Sequence, residues 1–228
     1  MATTAQGPAP LPWPARIRSA GLRRVGGWAG IVGPVSFTAS YLVHGWARRE
    51  EYDWVAEPVS ALEGGDSGWV QQATFVTLGI CMILYTLGLR AALPPTRLGK
   101  LTTLVMLWNG GGLFMAALFP LREDAEGVTY DPGGHTVNGF IFFASVWIGL
   151  LLASRWLASD PQWRPLSPLV LGAGIACTLG FFTMGLLALP EDAPLHDIVG
   201  VVQRTVVTIW LATVVVLSVQ LLREPRRG

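Results

Sequence analysis

Charge is scarce in this chain. Only 14% of its 228 residues are Asp, Glu, Lys or Arg, against about a quarter in an ordinary soluble domain. A solvated surface over most of the length is therefore excluded. The few charges nearly cancel, at a formal +1, which excludes the basic field that a nucleic-acid partner needs. Cysteine is limited to Cys81 and Cys177. Both lie in apolar runs, so no disulfide framework is expected and both read as small buried hydrophobes. Nucleotide loops, haem motifs and redox pairs are absent, so no cofactor is expected.

What the chain does have is apolar length. Six runs, near Gly26–Trp46, Trp69–Leu89, Leu101–Phe119, Thr136–Ser154, Pro168–Leu189 and Ile198–Leu222, each approach the roughly 20 apolar residues that cross a hydrocarbon core. The expected fold is all-α: a polytopic membrane protein, a bundle of six transmembrane helices with both termini cytoplasmic. Residues 1–24 read as a disordered Pro/Arg-rich cytoplasmic tail, 25–222 as the transmembrane domain and 223–228 as a basic cytoplasmic tail. The first run starts too far into the chain and is too long for a signal peptide, so it reads as a retained helix.

The charges orient the bundle. Arg16, Arg18, Arg23, Arg24, Arg90, Arg97, Lys100, Arg155, Arg164, Arg223, Arg226 and Arg227 all fall on one side of a six-span arrangement, which is 12 of the 16 basic residues. The positive-inside rule makes that side cytoplasmic. Of the 15 acids, 13 fall on the other side, with only Asp160 and Glu224 inside. The expected location is the cell membrane, with multiple passes. The inner connectors are short and plain, so function is sought on the outer side.

The most elaborate connector is "EYDWVAEPVSALEGGDSGWVQQ", residues 51–72. Pro58 disfavours helix at its predecessor, Ser60 is placed to cap the next turn, and Ser67 or Asp66 to cap the second span. Trp54 and Trp69 suit a membrane interface. This composition predicts a structured lid that lies on, or re-enters, the outer end of the bundle.

Polar groups at membrane depth must face the bundle or a wet cavity. Arg204 lies about 10 Å inside the sixth span if the helix starts near Asp197, with Gln203 beside it. A guanidinium at that depth needs a carboxylate or several carbonyls, and the candidate partners are Asp197 of its own helix, or Glu57 if the first outer loop folds back into the bundle; alternatively it reaches the headgroups and ties a loop in place. Asn109 in "LWNGGG" and the Gly26/Gly30 pair read as helix-packing features. His44, His135 and His196 all fall near the outer ends of spans, with Asp131 and Asp197 close to two of them. The catalytic candidates are therefore His135, His196 and Asp197, and the binding candidates Glu57, Ser60, Asp131, Gln203 and Arg204. An open zinc site would suit such groups, but neither H-x-x-x-H nor H-E-x-x-H is present, and no metal ligand is assigned.

"GIVGPVSF", "YDWVAEPVSALEGGDSGWVQQATFVTLGI", "ALFPLRED" and "GVVQRTVVTIW" together resemble the bacterial DUF998 family of integral membrane proteins. The likeness runs from about Trp28 to Leu222. It implies a six-span fold and a shared outer loop, and no reaction. Members of that family often carry a second histidine soon after the one that opens the fourth span, where this chain has Asn138; the departure weakens a histidine-based catalytic scheme.

The function expected first is binding of an amphiphile or lipid headgroup in an outward-facing polar pocket. There Arg204 would hold an anionic head, and Glu57 and Asp197 would orient it. The alternatives are a membrane-embedded hydrolase or other lipid-modifying enzyme with a His/Asp site on the outer face, and a small transporter or structural subunit of a membrane complex. The partner class is membrane lipid or an amphiphilic small molecule, with a homo-oligomer as a further expectation that does not rest on the glycine spacings.

Overall fold

The computed structural model describes residues 13–223, with side chains from residue 20 onward. Six long helices make up almost all of it: α1 Trp13–Ala47, α2 Gly68–Ala92, α3 Arg97–Leu118, α4 His135–Ala158, α5 Ser167–Thr183 and α6 Val199–Arg223. Each packs against the next, and α6 closes the ring on α1. Counted with the short turns that flank α5 and α6, α2 to α6 are long and apolar enough to cross a membrane. The glycine- and serine-rich run of α1 is less apolar, and among the described residues α1 does not meet that standard. It is nevertheless the longest helix, at 35 residues, and lies along α2 and α6 as the sixth member of the ring.

α1 also begins earlier than the sequence suggests. The expected disordered tail extends to residue 24, but Trp13 to Arg24 are helical. Pro14 does not prevent this, because the first turn of a helix has no intrahelical use for its N–H groups. Residues 1–12 and 224–228, the rest of the two expected tails, lie outside the described residues.

Small residues set the helix spacing. A Cβ on Gly26 would lie 2.7 Å from both the Gly88 Cα and the Leu84 carbonyl oxygen of α2, and one on Gly30 would collide with Ser218 of α6. Gly110 meets Gly79 in the same way, while Asn109 Nδ2 donates to Ser145 Oγ of α4 at 2.8 Å. The packing roles expected of Gly26, Gly30 and Asn109 are thus observed. Where backbone faces backbone there is no flexible atom to yield, and overpacking a tight contact costs about 1–3 kcal/mol. Gly26→Val should fall at the upper end of that range, read as a lowered thermal midpoint of the purified protein.

One end of the ring carries short connectors, 93–96 and 159–166. The other carries long ones: 48–67, 119–134 and 189–198. The second of these holds a two-stranded antiparallel ribbon, β1 Arg122–Glu123 with β2 Thr129–Tyr130. At the same end the last turn of α5 widens into a π-turn, Met184–Ala188, closed by the Leu189 N–H on the Met184 carbonyl oxygen at 2.8 Å.

Candidate functional site

The first long connector is a lid, as its composition suggests. After Pro58, in extended conformation, Val59–Glu63 form a single 3-10 turn in which every residue is buried. Apolar Val59, Ala61 and Leu62 face into the bundle, with Leu62 completely enclosed. Ser60 lies inside this turn and not at its cap. Ser67 does precede α2, yet its hydroxyl bonds His44 Nε2 at 2.9 Å and leaves the helix end uncapped by a side chain.

Two arginines pin the lid. From α6, Arg204 Nη1 donates to the carbonyl oxygens of Trp54 at 2.7 Å and Glu57 at 2.9 Å, and Nη2 donates to the Tyr52 hydroxyl. The guanidinium also sits 5.5 Å from the Tyr52 ring and 5.2 Å from the Trp54 ring. At the far end, Arg48 donates to the Gly64 carbonyl oxygen at 2.7 Å and to Glu123 Oε2 of β1 at 3.1 Å. Between them, Gln203 Oε1 accepts the Val59 N–H at 2.7 Å. Gly200 lets α6 come this close, since a side chain there would strike the carbonyl oxygens of Glu57 and Val55.

Of the two partners expected for Arg204, Glu57 is one, through its carbonyl oxygen, and Asp197 is not. Asp197 is exposed, in a 3-10 turn before α6. Glu57 offers its backbone oxygen, while its carboxylate accepts the Asp53 N–H at 2.9 Å. Neutral carbonyls that converge from a turn fill the guanidinium fork without burying a second charge. Arg204 ties the loop. Burial raises the Glu57 carboxyl above its ordinary value, against the pull of the Asp53 N–H. It also pushes the Tyr52 phenol up to about 12, over the opposing charge of Arg204.

Behind the lid lies a pair that the sequence reading did not single out. The Glu63 carboxyl is wholly enclosed, with Oε2 3.2 Å from His135 Nδ1. The Leu121 N–H donates to the same oxygen at 3.3 Å, and Oε1 has no partner. Burial pushes this carboxyl up to about 8, with the Leu121 N–H acting weakly the other way. His135 Nδ1 also lies 2.9 Å from the Phe119 carbonyl oxygen. That oxygen can only accept, so Nδ1 carries the proton and Nε2, in the neutral ring, presents a lone pair. Asp131 organises the start of α4, accepting the N–H groups of Gly133, His135 and Thr136. Burial alone would raise it; those donors outweigh burial and hold its carboxyl below the usual range.

Beneath the lid the ring encloses a cavity of about 190 Å³. Its wall is aromatic and aliphatic, with Phe37, Phe75, Phe142, Phe143 and Trp210 prominent, and its polar members are Ser60, His135, Thr136, Asn138 and Gln203. Among the described residues no lysine, arginine or carboxylate lines it. Asn138, 8% exposed, donates through Nδ2 to the Gly112 carbonyl oxygen at 2.9 Å. That bond fixes the amide orientation and leaves Oδ1 buried without a partner. An acceptor stranded this way costs about 1–3 kcal/mol. Phe140 of α4 and Leu189, just after the π-turn, line the cavity and are themselves exposed, so the cavity opens beside them.

Of the expected binding residues, Ser60 and Gln203 line this cavity. Glu57 belongs to the lid, Arg204 of α6 holds it, and Asp131 lies before the start of α4. The catalytic trio is not brought together: His135 faces Glu63, His196 Nδ1 bonds the Ala188 carbonyl oxygen at 3.2 Å, and Asp197 stays exposed. His44 bonds Ser67. Among the described residues no three His, Cys, Asp or Glu are placed to hold a metal ion. Glu63, Tyr52 and the aromatic wall escape the sequence reading. The one local signal for Glu63 is its place three residues after Ser60, on the same face of a 3-10 turn.

A family model described as "Protein of unknown function (DUF998)" matches residues 19–220. No curated protein and no solved structure matches the chain.

Proposed function

The chain belongs to the DUF998 family, and from that premise we propose that it is a six-span protein of the cell membrane that binds an amphiphile in the cavity beneath its lid. α1 completes the six spans, both termini are cytoplasmic and the lid faces outward. The asymmetric distribution of Arg, Lys, Asp and Glu supports that orientation. The observation that carries the binding reading is the cavity itself: about 190 Å³, apolar, roofed by a pinned lid, and opening beside Phe140 and Leu189. An apolar cavity of roughly 150 Å³ takes up benzene, so this one accommodates a headgroup and several carbons while the remaining chain leaves sideways into hydrocarbon. Arg204, Glu57 and Asp197, the residues expected to form a polar pocket, do not line this cavity; Glu57 lines a second, polar pocket with Arg48, Glu51, Tyr52 and Glu123.

Gly139 provides the test. It lines the cavity, and a Cβ there meets nothing within 4 Å. The first carbon of Gly139→Leu therefore enters open space beside the cavity wall. The amphiphile that co-purifies with the wild-type protein, quantified by mass spectrometry, should fall several-fold in this variant at an unchanged thermal midpoint. Equal content in the two proteins would place the bound molecule elsewhere and remove this reading.

A second reading rests on the Glu63–His135 contact. A histidine held through Nδ1, in the same cavity wall as Ser60, has the form of a general base. Release of acid from an ester detergent by the wild-type protein, absent in His135→Gln, would favour a hydrolase over a binding protein.

A further inference from the structure

We infer that the end of the bundle with the short connectors docks on anionic lipid headgroups, through Arg90, Arg97, Lys100 and Arg155 grouped around the Trp156 indole. The inference goes beyond the amphiphile reading. It concerns the opposite end of the molecule from the lid and holds whether or not the cavity is filled.

The two ends of the ring treat their cations differently. At the lid end, Arg48 finds carboxylates within the protein, Glu123 at 3.1 Å and Glu51 at 3.4 Å. At the short-connector end, the only acid among the described residues is Asp160. It is 3% exposed, and its carboxylate accepts the Gln162 N–H at 2.9 Å. Arg97, Lys100 and Arg155 are exposed there and Arg90 is partly exposed. Among the described residues none of these four has a carboxylate at ion-pair distance.

Packing gathers the four from three helices. Gly99 lies between Arg97 and Lys100 in the first turn of α3, and a Cβ on it would sit 2.6 Å from the Trp156 ring. That turn therefore rests against the indole. Arg90, in the last turn of α2, has its guanidinium 6.0 Å from the centre of the same ring, and Arg155 precedes Trp156 on α4. The indole is a fixed hub, 1% exposed, with Nε1 donating to the Pro94 carbonyl oxygen at 3.0 Å. Like charges gathered this way repel. With no carboxylate of the fold beside them, their counter-charge comes from outside the chain.

Position says which counter-charge. α2, α3 and α4 run 25, 22 and 24 residues, about 33–38 Å at the rise of a helix. That slightly exceeds the roughly 30 Å of a hydrocarbon core, so these helix ends stand at the level of the headgroups. A guanidinium forks onto two oxygens of one phosphate, and the ammonium of Lys100 adds a point charge. Each basic residue beside an anionic surface raises occupancy about fivefold. A zwitterionic head brings its own ammonium and leaves the repulsion in place.

The test equilibrates the full-length protein, in neutral detergent, with equal amounts of phosphatidylglycerol and phosphatidylcholine of identical chains. Retained lipids are counted by native mass spectrometry. The anionic lipid should be enriched about fivefold or more over the mixture. Arg97→Gln/Lys100→Gln should bring the ratio close to that of the mixture, and Arg155→Gln, on another helix, should lower it part of the way. Arg122→Gln, which removes an exposed cation at the lid end, should retain the wild-type ratio. No enrichment by the wild-type protein, an unchanged ratio in the double variant, or an equal fall in Arg122→Gln overturns the inference. Glycerol phosphate in millimolar excess should not displace the lipid; displacement would assign the site to a soluble anion and overturn the lipid surface. If the double variant fails to fold, the comparison of Arg155→Gln with Arg122→Gln decides.

Discussion

Arg204→Leu should destabilise the protein by about 3 kcal/mol or more, and should release the lid. The magnitude comes from the bonds lost: hydrogen bonds made by a charged donor contribute about 1.5–3 kcal/mol each, and Nη1 alone makes two, to Trp54 and Glu57. Removal also strands the Trp54 and Glu57 carbonyl oxygens and takes a cation from between two aromatic rings. Amide exchange across Tyr52–Glu63 should accelerate in the variant by orders of magnitude more than exchange in the helix cores. Arg204→Lys should recover less than half of the loss, because an ammonium is a point donor that cannot span both carbonyls and the Tyr52 hydroxyl. If Arg204→Leu leaves the lid protected, the Gln203–Val59 bond and the burial of Val59 and Leu62 hold it without the guanidinium.

Glu63→Gln should change how stability depends on pH. In the folded protein the Glu63 carboxyl is raised from its ordinary 4.5 to about 8. Between those values the folded state keeps a proton that the unfolded chain has released. The stabilisation is therefore complete below pH 4.5, declines as pH rises, and is gone above about 8. The slope is about 1.4 kcal/mol per pH unit across the window, so the total reaches a few kcal/mol. Glutamine keeps an oxygen for the Leu121 N–H and His135 and can never ionise. The thermal midpoint of the wild-type protein should fall between pH 5 and 8, while that of Glu63→Gln should lack this component and exceed the wild type at pH 8. A wild-type slope that persists in the variant would assign it to another group.

These two residues show how much the chain reveals and how much it hides. Apolar length places α2 to α6, which are long and apolar enough to cross a membrane, because a span has to hide its backbone within itself and leaves an uninterrupted run behind. The onset of α1 escapes because Pro14 and the nearby arginines look like a tail; only the tolerance of a first turn for proline makes them helical. The lid can be anticipated from its density of Pro, Gly and Trp. Arg204 is visible as an anomaly, a cation within an apolar run, and Glu57 as a candidate partner, but Trp54 and Tyr52 are not. The contacts to Trp54 and Glu57 run through backbone oxygens some 150 positions away in sequence, and carbonyls leave no trace in residue identities. Glu63 is invisible for a related reason. Among neighbouring acids in "EYDWVAEPVSALEGGD" nothing distinguishes the one that turns inward, and its burial is created by Leu121 and His135, which arrive from other parts of the chain. The cavity is equally hidden, since a space is defined by what surrounds it and not by any one segment.

On the amphiphile reading proposed above, the double fastening of the lid would govern traffic. A cover held at Arg48 and again at Arg204 has no free edge to lift, so exchange over the top requires rupture of both attachments. The opening beside Phe140 and Leu189 has only side chains to part, which rotate in nanoseconds. Solutes already dissolved in the bilayer should therefore equilibrate with the interior quickly, whereas those arriving from the aqueous phase should first partition into lipid. Uptake would then follow membrane concentration and not bulk concentration.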